Sequence, residues 1–146
     1  MAQRSHWAVT PRQSIDAGCA RRGKAAVVSG CVDLLAGRQA DPQLIVALGG
    51  PAAGWVVSGG SGGPSYWTRV WAARGLLWAW DDAALPSILQ AMDDEAWRVR
   101  EMALKVVTRH RLGDALEIAA ALMDDPVPRV RTAARRALTM LTAESA

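Results

Sequence analysis

Several residue types that commonly build cores and catalytic sites are scarce in this chain of 146 residues. Phenylalanine and asparagine are absent, and there are one tyrosine, two cysteines and two histidines. Two cysteines cannot form a disulfide framework, and the histidines, His6 and His110, stand too far apart in sequence to suggest a metal site. No apolar run approaches the roughly 20 residues of a membrane-spanning helix. We therefore expect a cytoplasmic protein that spans no membrane and holds neither metal nor cofactor.

The composition is otherwise that of a small folded domain with a basic bias. Apolar residues make up 51% of the chain, which suffices for a core, and seven tryptophans take the place of phenylalanine. The formal net charge is +3, with 15 arginines against two lysines. An arginine excess of this kind accompanies a GC-rich coding sequence, so it is weak evidence for a nucleic-acid partner.

The strongest pattern in the sequence is a repeat with an offset of 31 residues. Without a gap, residues 93–107 align with residues 124–138 as DDEAWRVREMALKVV and DDPVPRVRTAARRAL, and a further step back reaches GGPSYWTRVWAARGL at residues 62–76. Three columns then agree, namely Arg69/Arg100/Arg131, Ala72/Ala103/Ala134 and Leu76/Val107/Leu138. Agreement in several columns at one offset indicates a repeated structural unit.

Each unit is predicted to be a pair of helices. The first helix is short, apolar on one side, and follows an aspartate that is a candidate N-cap, Asp82 or Asp114. Gly113 is predicted to end the longer second helix with a left-handed cap. An apolar stripe at helical spacing marks this second helix: Val99, Ala103, Val106, Val107 and His110.

This pattern resembles the HEAT-repeat family, and specifically the short bacterial, PBS-lyase-type HEAT-like repeats. The hallmark of the family is an aspartate-containing turn, then Val-Arg, then a small residue three positions after the arginine. Here it reads Asp94…Val99-Arg100…Ala103 and Asp125…Val130-Arg131…Ala134. The resemblance implies an all-α fold, a right-handed α-solenoid of about three stacked helix pairs behind an N-terminal helical cap.

We expect a single HEAT-like repeat domain over residues 1–146. Cap helices are predicted within residues 12–36 and end at Gly37, and DPQLIVALGG at residues 41–50 is predicted to open the first repeat. A segment dense in Gly, Ser and Pro then predicts a flexible surface loop. The expected parts are the cap at 1–40, a degenerate first repeat at 41–80 with a Gly-rich insertion at 49–64, a second repeat at 81–111 and a third at 112–142.

The recurring arginines and aspartates have an expected structural role. In HEAT proteins the similar residues form a ladder between repeats, and a bidentate guanidinium–carboxylate pair suits that geometry. The residues that the resemblance assigns to this ladder are Arg69, Arg100, Arg131, Asp94 and Asp125.

A second set of recurring residues is a candidate binding surface. In HEAT stacks the second helices line the concave face. On the 31-residue register three outward columns carry cations and indoles, namely Arg74/Lys105/Arg136, Trp67/Arg98/Arg129 and Trp78/Arg109/Met140. Glu101 is the only carboxylate among the second-helix positions that are expected to face out, while Trp71 and Trp80 are expected in the core. The predicted binding residues are Trp67, Arg74, Trp78, Arg98, Lys105, Arg109, Arg129 and Arg136.

No motif in the sequence requires an enzyme. The glycines at 59–63 are not followed by the Gly-Lys-Ser/Thr of a nucleotide-binding loop, and the paired aspartates recur at helix ends, where capping explains them. We therefore expect a non-catalytic HEAT scaffold that binds a protein partner through a basic concave face. The alternative is a nucleic-acid-binding protein that contacts phosphates. A DNA-glycosylase-type enzyme would be its catalytic variant, but the outward columns lack the aspartate that such enzymes use.

Overall fold

The structure is a computed structural model that describes residues 9–54 and 66–143. Within these ranges the regular structure is entirely helical. The predicted all-α fold class is thereby confirmed. The chain divides into two compact units, residues 1–84 and residues 85–146, and each is described by itself. The solenoidal stacking of all the repeats stays a prediction.

The first unit contains four described α-helices. Thr10 begins the first of them with a capping box, in which its hydroxyl accepts a bond from the Gln13 amide and the Gln13 side chain accepts one from the Thr10 amide. Gly23 and Gly37, both at positive φ, follow the ends of the first two helices. The helices are α1 (Pro11–Arg22), α2 (Lys24–Leu35), α3 (Pro42–Gly49) and α4 (Trp67–Gly75).

The core of the first unit depends on a close approach between α3 and α4. Trp71 is 6% exposed, and its ring lies so near Gly49 that a Cβ there would stand 2.6 Å from the ring carbon Cε3. Trp71 is therefore in the core, as expected. Trp80 is not in the core. It is partly exposed, and its indole N–H donates to Oδ1 of the exposed Asp82 at 3.2 Å. A buried Trp80 would need a buried acceptor for this N–H group.

The second unit consists of two helix pairs that pack on each other. Within each pair the short helix packs on the long one, and the two long helices lie side by side. The predicted stripe on α6 is fully buried from Val99 to Val107, whereas His110, at the helix end, is partly exposed. On α8 the buried positions are mostly small: Val130, Ala133, Ala134 and Ala137. The four helices are α5 (Leu85–Ala91), α6 (Trp97–His110), α7 (Leu116–Ala121) and α8 (Pro128–Ala143).

Three local predictions are wrong. Asp82 and Asp114 lie inside short 3₁₀ turns (Asp82–Ala84 and Gly113–Ala115), and it is Asp81 that accepts a backbone bond, from the Ala83 amide at 2.8 Å. The left-handed residue after α6 is Arg111, at φ 53° and ψ 54°, not Gly113. The chain must reverse directly after His110 to begin the next repeat, so the residue at that point adopts the left-handed conformation whatever its type.

The expected insertion begins with helical structure. Gly50–Ala53 forms a 3₁₀ turn that continues from α3, so the first part of the insertion is not a loop. Residues 55–64 of the expected insertion, including the glycines at 59–63, lie outside the described residues.

Candidate functional site

The second unit contains a buried ion pair that joins its two helix pairs. Arg100 on α6 donates from Nε and Nη2 to the two carboxylate oxygens of Asp125, at 2.8 and 3.1 Å. Its Nη1 donates to the main-chain carbonyl of Asp94, in the turn before its own helix, at 2.8 Å. The Asp94 and Asp125 carboxylates also each accept an amide two residues ahead, from Ala96 and Val127. One arginine therefore connects two consecutive aspartate turns.

The ionisation of Asp125 reflects these contacts. Burial by itself raises the pKa of this carboxyl, but the bonds donated by Arg100 and by the Val127 amide, together with the charges of Arg100 and Arg131, outweigh it. The net result is a pKa below the usual value. Asp125 therefore stays charged and paired over the whole physiological pH range.

The other two arginines of the predicted ladder are placed differently. Arg131 on α8 donates from Nη1 to the carbonyl of Asp125 at 2.8 Å, which repeats the contact of Arg100 with Asp94. Arg69 lies on α4 in the first unit and is partly buried.

A groove lies between the long helices of the second unit. It is lined at helical spacing by Glu101, Lys105, Thr108 and Arg109 of α6 and by Arg129, Thr132, Ala133 and Arg136 of α8, with Pro128 at one end. Glu101, in the first half of α6, contacts Arg129, near the start of α8. The volume is about 540 Å³. Four of the predicted binding residues, Lys105, Arg109, Arg129 and Arg136, are thus brought together, and all four are exposed.

Glu101 is not an outward residue, contrary to the expectation from the register. Its side chain is 12% exposed, and its Oε2 atom accepts a bond from Arg129 Nε at 3.0 Å and lies 4.0 Å from Lys105 Nζ. Packing of α8 against α6 covers this position, and the carboxylate is kept there because two cations surround it. Glu101 therefore fixes the positions of the groove cations on one side.

An indole lies at the same end of the groove. The guanidinium carbon of Arg129 is 5.4 Å from the ring centroid of Trp97, and that of Arg98 is 4.4 Å from it. Both distances are within the range of cation–π attraction. The predicted binding residue Arg98 thus contacts the ring, while Arg129 lies between the ring and the Glu101 carboxylate.

The predicted binding residues of the first unit do not form a comparable cluster. Arg74 is half-buried, and its Nη2 donates to the Leu48 carbonyl at 2.7 Å, while burial lowers the pKa of the guanidinium. Trp67 is partly buried and stacks on Trp71 with 6.5 Å between ring centroids. Trp78 is also partly buried. Arg74 is therefore engaged inside its own unit instead of facing solvent.

Sequence reasoning missed Trp97, Thr108 and Thr132. Trp97 stands next to the Trp67/Arg98/Arg129 column in sequence, and an aromatic residue adjacent to a cationic column was the available signal. Each threonine lies at the i+3 position from a predicted cation of its own helix, Lys105 or Arg129, so helical spacing could have found them.

Metal sites, reactive thiols and membrane spans were the other features sought in the described part of the chain. Residues 9–54 and 66–143 contain no cluster of three or more His, Cys, Asp or Glu side chains that could hold a metal ion. Cys31 is fully buried, and burial, with a smaller effect of Cys19, raises its pKa to about 12, so this thiol is inert. None of the described helices combines the length and the apolar character needed to cross a bilayer.

Comparison with known proteins agrees with the repeat pattern. No curated protein and no solved structure matches the chain. A family model described as HEAT repeats matches residues 60–139, which is more than half of the sequence. The chain therefore belongs to the HEAT-repeat family.

Proposed function

We propose that this chain is a non-catalytic protein-interaction module that binds an acidic segment of a partner protein in the groove between α6 and α8. HEAT repeats are generally protein-interaction scaffolds. The observation that carries the proposal is the convergence of Lys105, Arg109, Arg129 and Arg136 on one groove from two adjacent helices.

The lining of the groove suits a peptide that carries carboxylates. Arginine and lysine side chains at the rim bind carboxylates through charge-assisted hydrogen bonds. Thr108 and Thr132 add hydroxyl groups, and Ala133 and Pro128 supply apolar contact for a peptide backbone. The volume of about 540 Å³ lies within the range of ligand-binding clefts in proteins.

Glu101 favours a protein partner over nucleic acid. A nucleic-acid strand carries a phosphate about every 3.4 Å, so it would place negative charge beside Glu101 wherever it entered the groove. A peptide can direct its carboxylates to Lys105 and Arg136 and a neutral residue to Glu101. Arg74, in the first unit, is engaged with a carbonyl and adds little to a continuous basic face.

Site-specific photo-crosslinking in native cells tests the proposal. A photoreactive amino acid at Thr132, inside the groove, is expected to capture a protein partner, whereas the same residue at Ala120, which is exposed on α7, is not. The double reversal Lys105→Glu/Arg136→Glu is expected to abolish that product. The matched control is Arg21→Glu/Lys24→Glu, which makes the same change in net charge at exposed positions of the first unit.

Two results would overturn the proposal. Crosslinking of Thr132 to nucleic acid, together with salt-dependent binding of duplex or single-stranded DNA that the double reversal removes, would assign the groove to phosphate contacts. A partner that is captured equally by the double reversal would show that the groove cations have no role in binding.

A further inference from the structure

Arg100 and Arg131 are equivalent residues of successive repeats, but their guanidinium groups are used differently. Both donate from Nη1 to the carbonyl of the aspartate in the turn before their own helix, at 2.8 Å in each case. Arg100 also binds the carboxylate of Asp125, in the next repeat, through Nε and Nη2. Within residues 9–54 and 66–143, no carboxylate bonds to the Nε and Nη2 atoms of Arg131. Arg131 therefore makes the carbonyl contact of the ladder without the carboxylate contact, and the bond to the Asp125 carbonyl already orients its guanidinium group.

The carboxylate of Asp125 cannot complete this contact. Asp125 lies close enough to Arg131 for their charges to interact, but both of its carboxylate oxygens accept bonds from Arg100, and Oδ1 also accepts the Val127 amide. Transfer of Asp125 to Arg131 would break the buried pair with Arg100. A carboxylate on Nε and Nη2 of Arg131 must therefore come from elsewhere.

The adjoining surface of α8 is cationic where the corresponding surface of α6 is apolar. Leu104 on α6 is fully buried, and its equivalent one repeat later is Arg135, which is exposed. Arg135 follows Arg131 by four residues, so the two side chains share one side of the helix. A further apolar helix that packed on α8 as α8 packs on α6 would bury the Arg135 charge without a partner. This surface, which we name the Arg131–Arg135 face, fits a ligand with negative charge.

We propose that the Arg131–Arg135 face binds an acidic segment of a partner protein. One carboxylate takes on Arg131 the bidentate position that Asp125 takes on Arg100, and a neighbouring carboxylate pairs with Arg135. The site is separate from the groove between α6 and α8 and does not rest on the function proposed for it. The equivalent arginine one repeat earlier, Arg100, holds an aspartate in this geometry.

The test uses a peptide that copies residues 122–127, the segment whose Asp-Asp pair delivers a carboxylate to Arg100. The side-chain Nε–Hε resonances of the arginines are followed by NMR as the peptide is added to the wild-type protein. We expect the Arg131 resonance to move toward the position of the Arg100 resonance, and the Arg100 resonance to stay in place. The same peptide with both aspartates replaced by asparagine is expected to leave Arg131 unchanged.

Two variants assign the effect to the guanidinium groups. Arg131→Ala is expected to weaken peptide binding at least about tenfold, the scale of a charge-assisted bond, and Arg131→Lys to restore only part of it, since an ammonium group cannot bind in the bidentate mode. Because the titration itself uses the wild-type protein, the result does not depend on how well Arg131→Ala folds.

Three outcomes would overturn the inference. They are no movement of the Arg131 resonance at about 10 mM peptide, equal binding by Arg131→Ala, and loss of binding in Lys105→Glu/Arg136→Glu. The last result would place the peptide in the groove instead, so failure here and failure of the function proposed for the groove give different results.

Discussion

Arg100 binds both carboxylate oxygens of Asp125, at 2.8 and 3.1 Å, and with its third nitrogen holds the carbonyl of Asp94 at 2.8 Å. Its side chain is 14% exposed and that of Asp125 is 4% exposed, so the pair is largely removed from water. Loss of the Asp125 charge would leave the Arg100 guanidinium buried without a counter-charge. The contact between the two helix pairs of the second unit is therefore sensitive to substitution at either residue.

Replacement of Asp125 by asparagine is expected to lower the free energy of unfolding by about 2–4 kcal/mol. The amide can still accept the Val127 bond, but it leaves the Arg100 charge buried without a counter-charge. The control is Asp124→Asn, at an exposed position, which should change stability by no more than about 0.5 kcal/mol. Urea denaturation measures both variants, and a similar small effect at the two positions would contradict the structural role of Asp125.

The stabilisation by Asp125 is expected to disappear in acid. Because the pKa of Asp125 is lower in the folded chain than in the unfolded chain, its contribution is complete above the unfolded value of about 3.9 and is lost as the pH falls through the folded value. The difference in unfolding free energy between the wild type and Asp125→Asn should therefore be constant from about pH 5 to 7 and shrink below about pH 4. A difference that persists undiminished in the acid range would show that packing, not charge, accounts for the effect.

Removal of the Glu101 charge is expected to strengthen the binding of anions in the groove. Glu101→Gln releases Arg129 from its 3.0 Å ion pair and removes the negative charge beside Lys105. Fluorescence anisotropy with a labelled oligoglutamate peptide should show an increase in affinity of about fivefold, equivalent to roughly 1 kcal/mol. Glu117→Gln, on the exposed side of α7, is the matched control. An affinity that falls in Glu101→Gln would mean that the position of Arg129 matters more than the net charge.

A methyl group at Gly49 is expected to destabilise the first unit. The added Cβ would stand 2.6 and 2.7 Å from two ring carbons of Trp71 and 2.9 Å from the Cβ atom of Ala53. The rigid indole cannot move aside cheaply, so Gly49→Ala should cost about 1–3 kcal/mol. Gly54→Ala has nothing within 4 Å of its Cβ and should be neutral or slightly stabilising. Thermal denaturation of the two variants compares the costs, and equal midpoints would mean that the contact with Trp71 is looser than described.

The repeat register predicted the fold better than it predicted the surface. An offset of 31 residues and the Asp-to-Arg spacing were enough to place the helix pairs of the second unit, because both are local patterns. Helical periodicity gives the direction of a side chain from its own helix axis, but it does not say which neighbouring helix covers that direction. The register therefore predicts an outward Glu101, although α8 covers this side chain.

The same limit applies to backbone features and to Arg74. The left-handed conformation of Arg111 follows from the path of the chain between two packed helices, which a preference for glycine cannot reveal. Arg74 occupies the register position of Lys105 and Arg136, but a carbonyl of α3 lies within its reach. Equivalent positions in a repeat share a direction without sharing an environment.

A small buried residue in the wall of the groove has a consequence for its shape. Ala133 lines the groove and is buried on α8, and the distance between packed helices depends on the size of the side chains at their contact. A larger residue there would separate α6 from α8, open the groove and lengthen the reach from Arg100 to Asp125. The cations decide what charge the groove accepts, whereas Ala133 decides how wide a ligand it admits, and selection on ligand size would therefore act on a residue that touches no ligand charge.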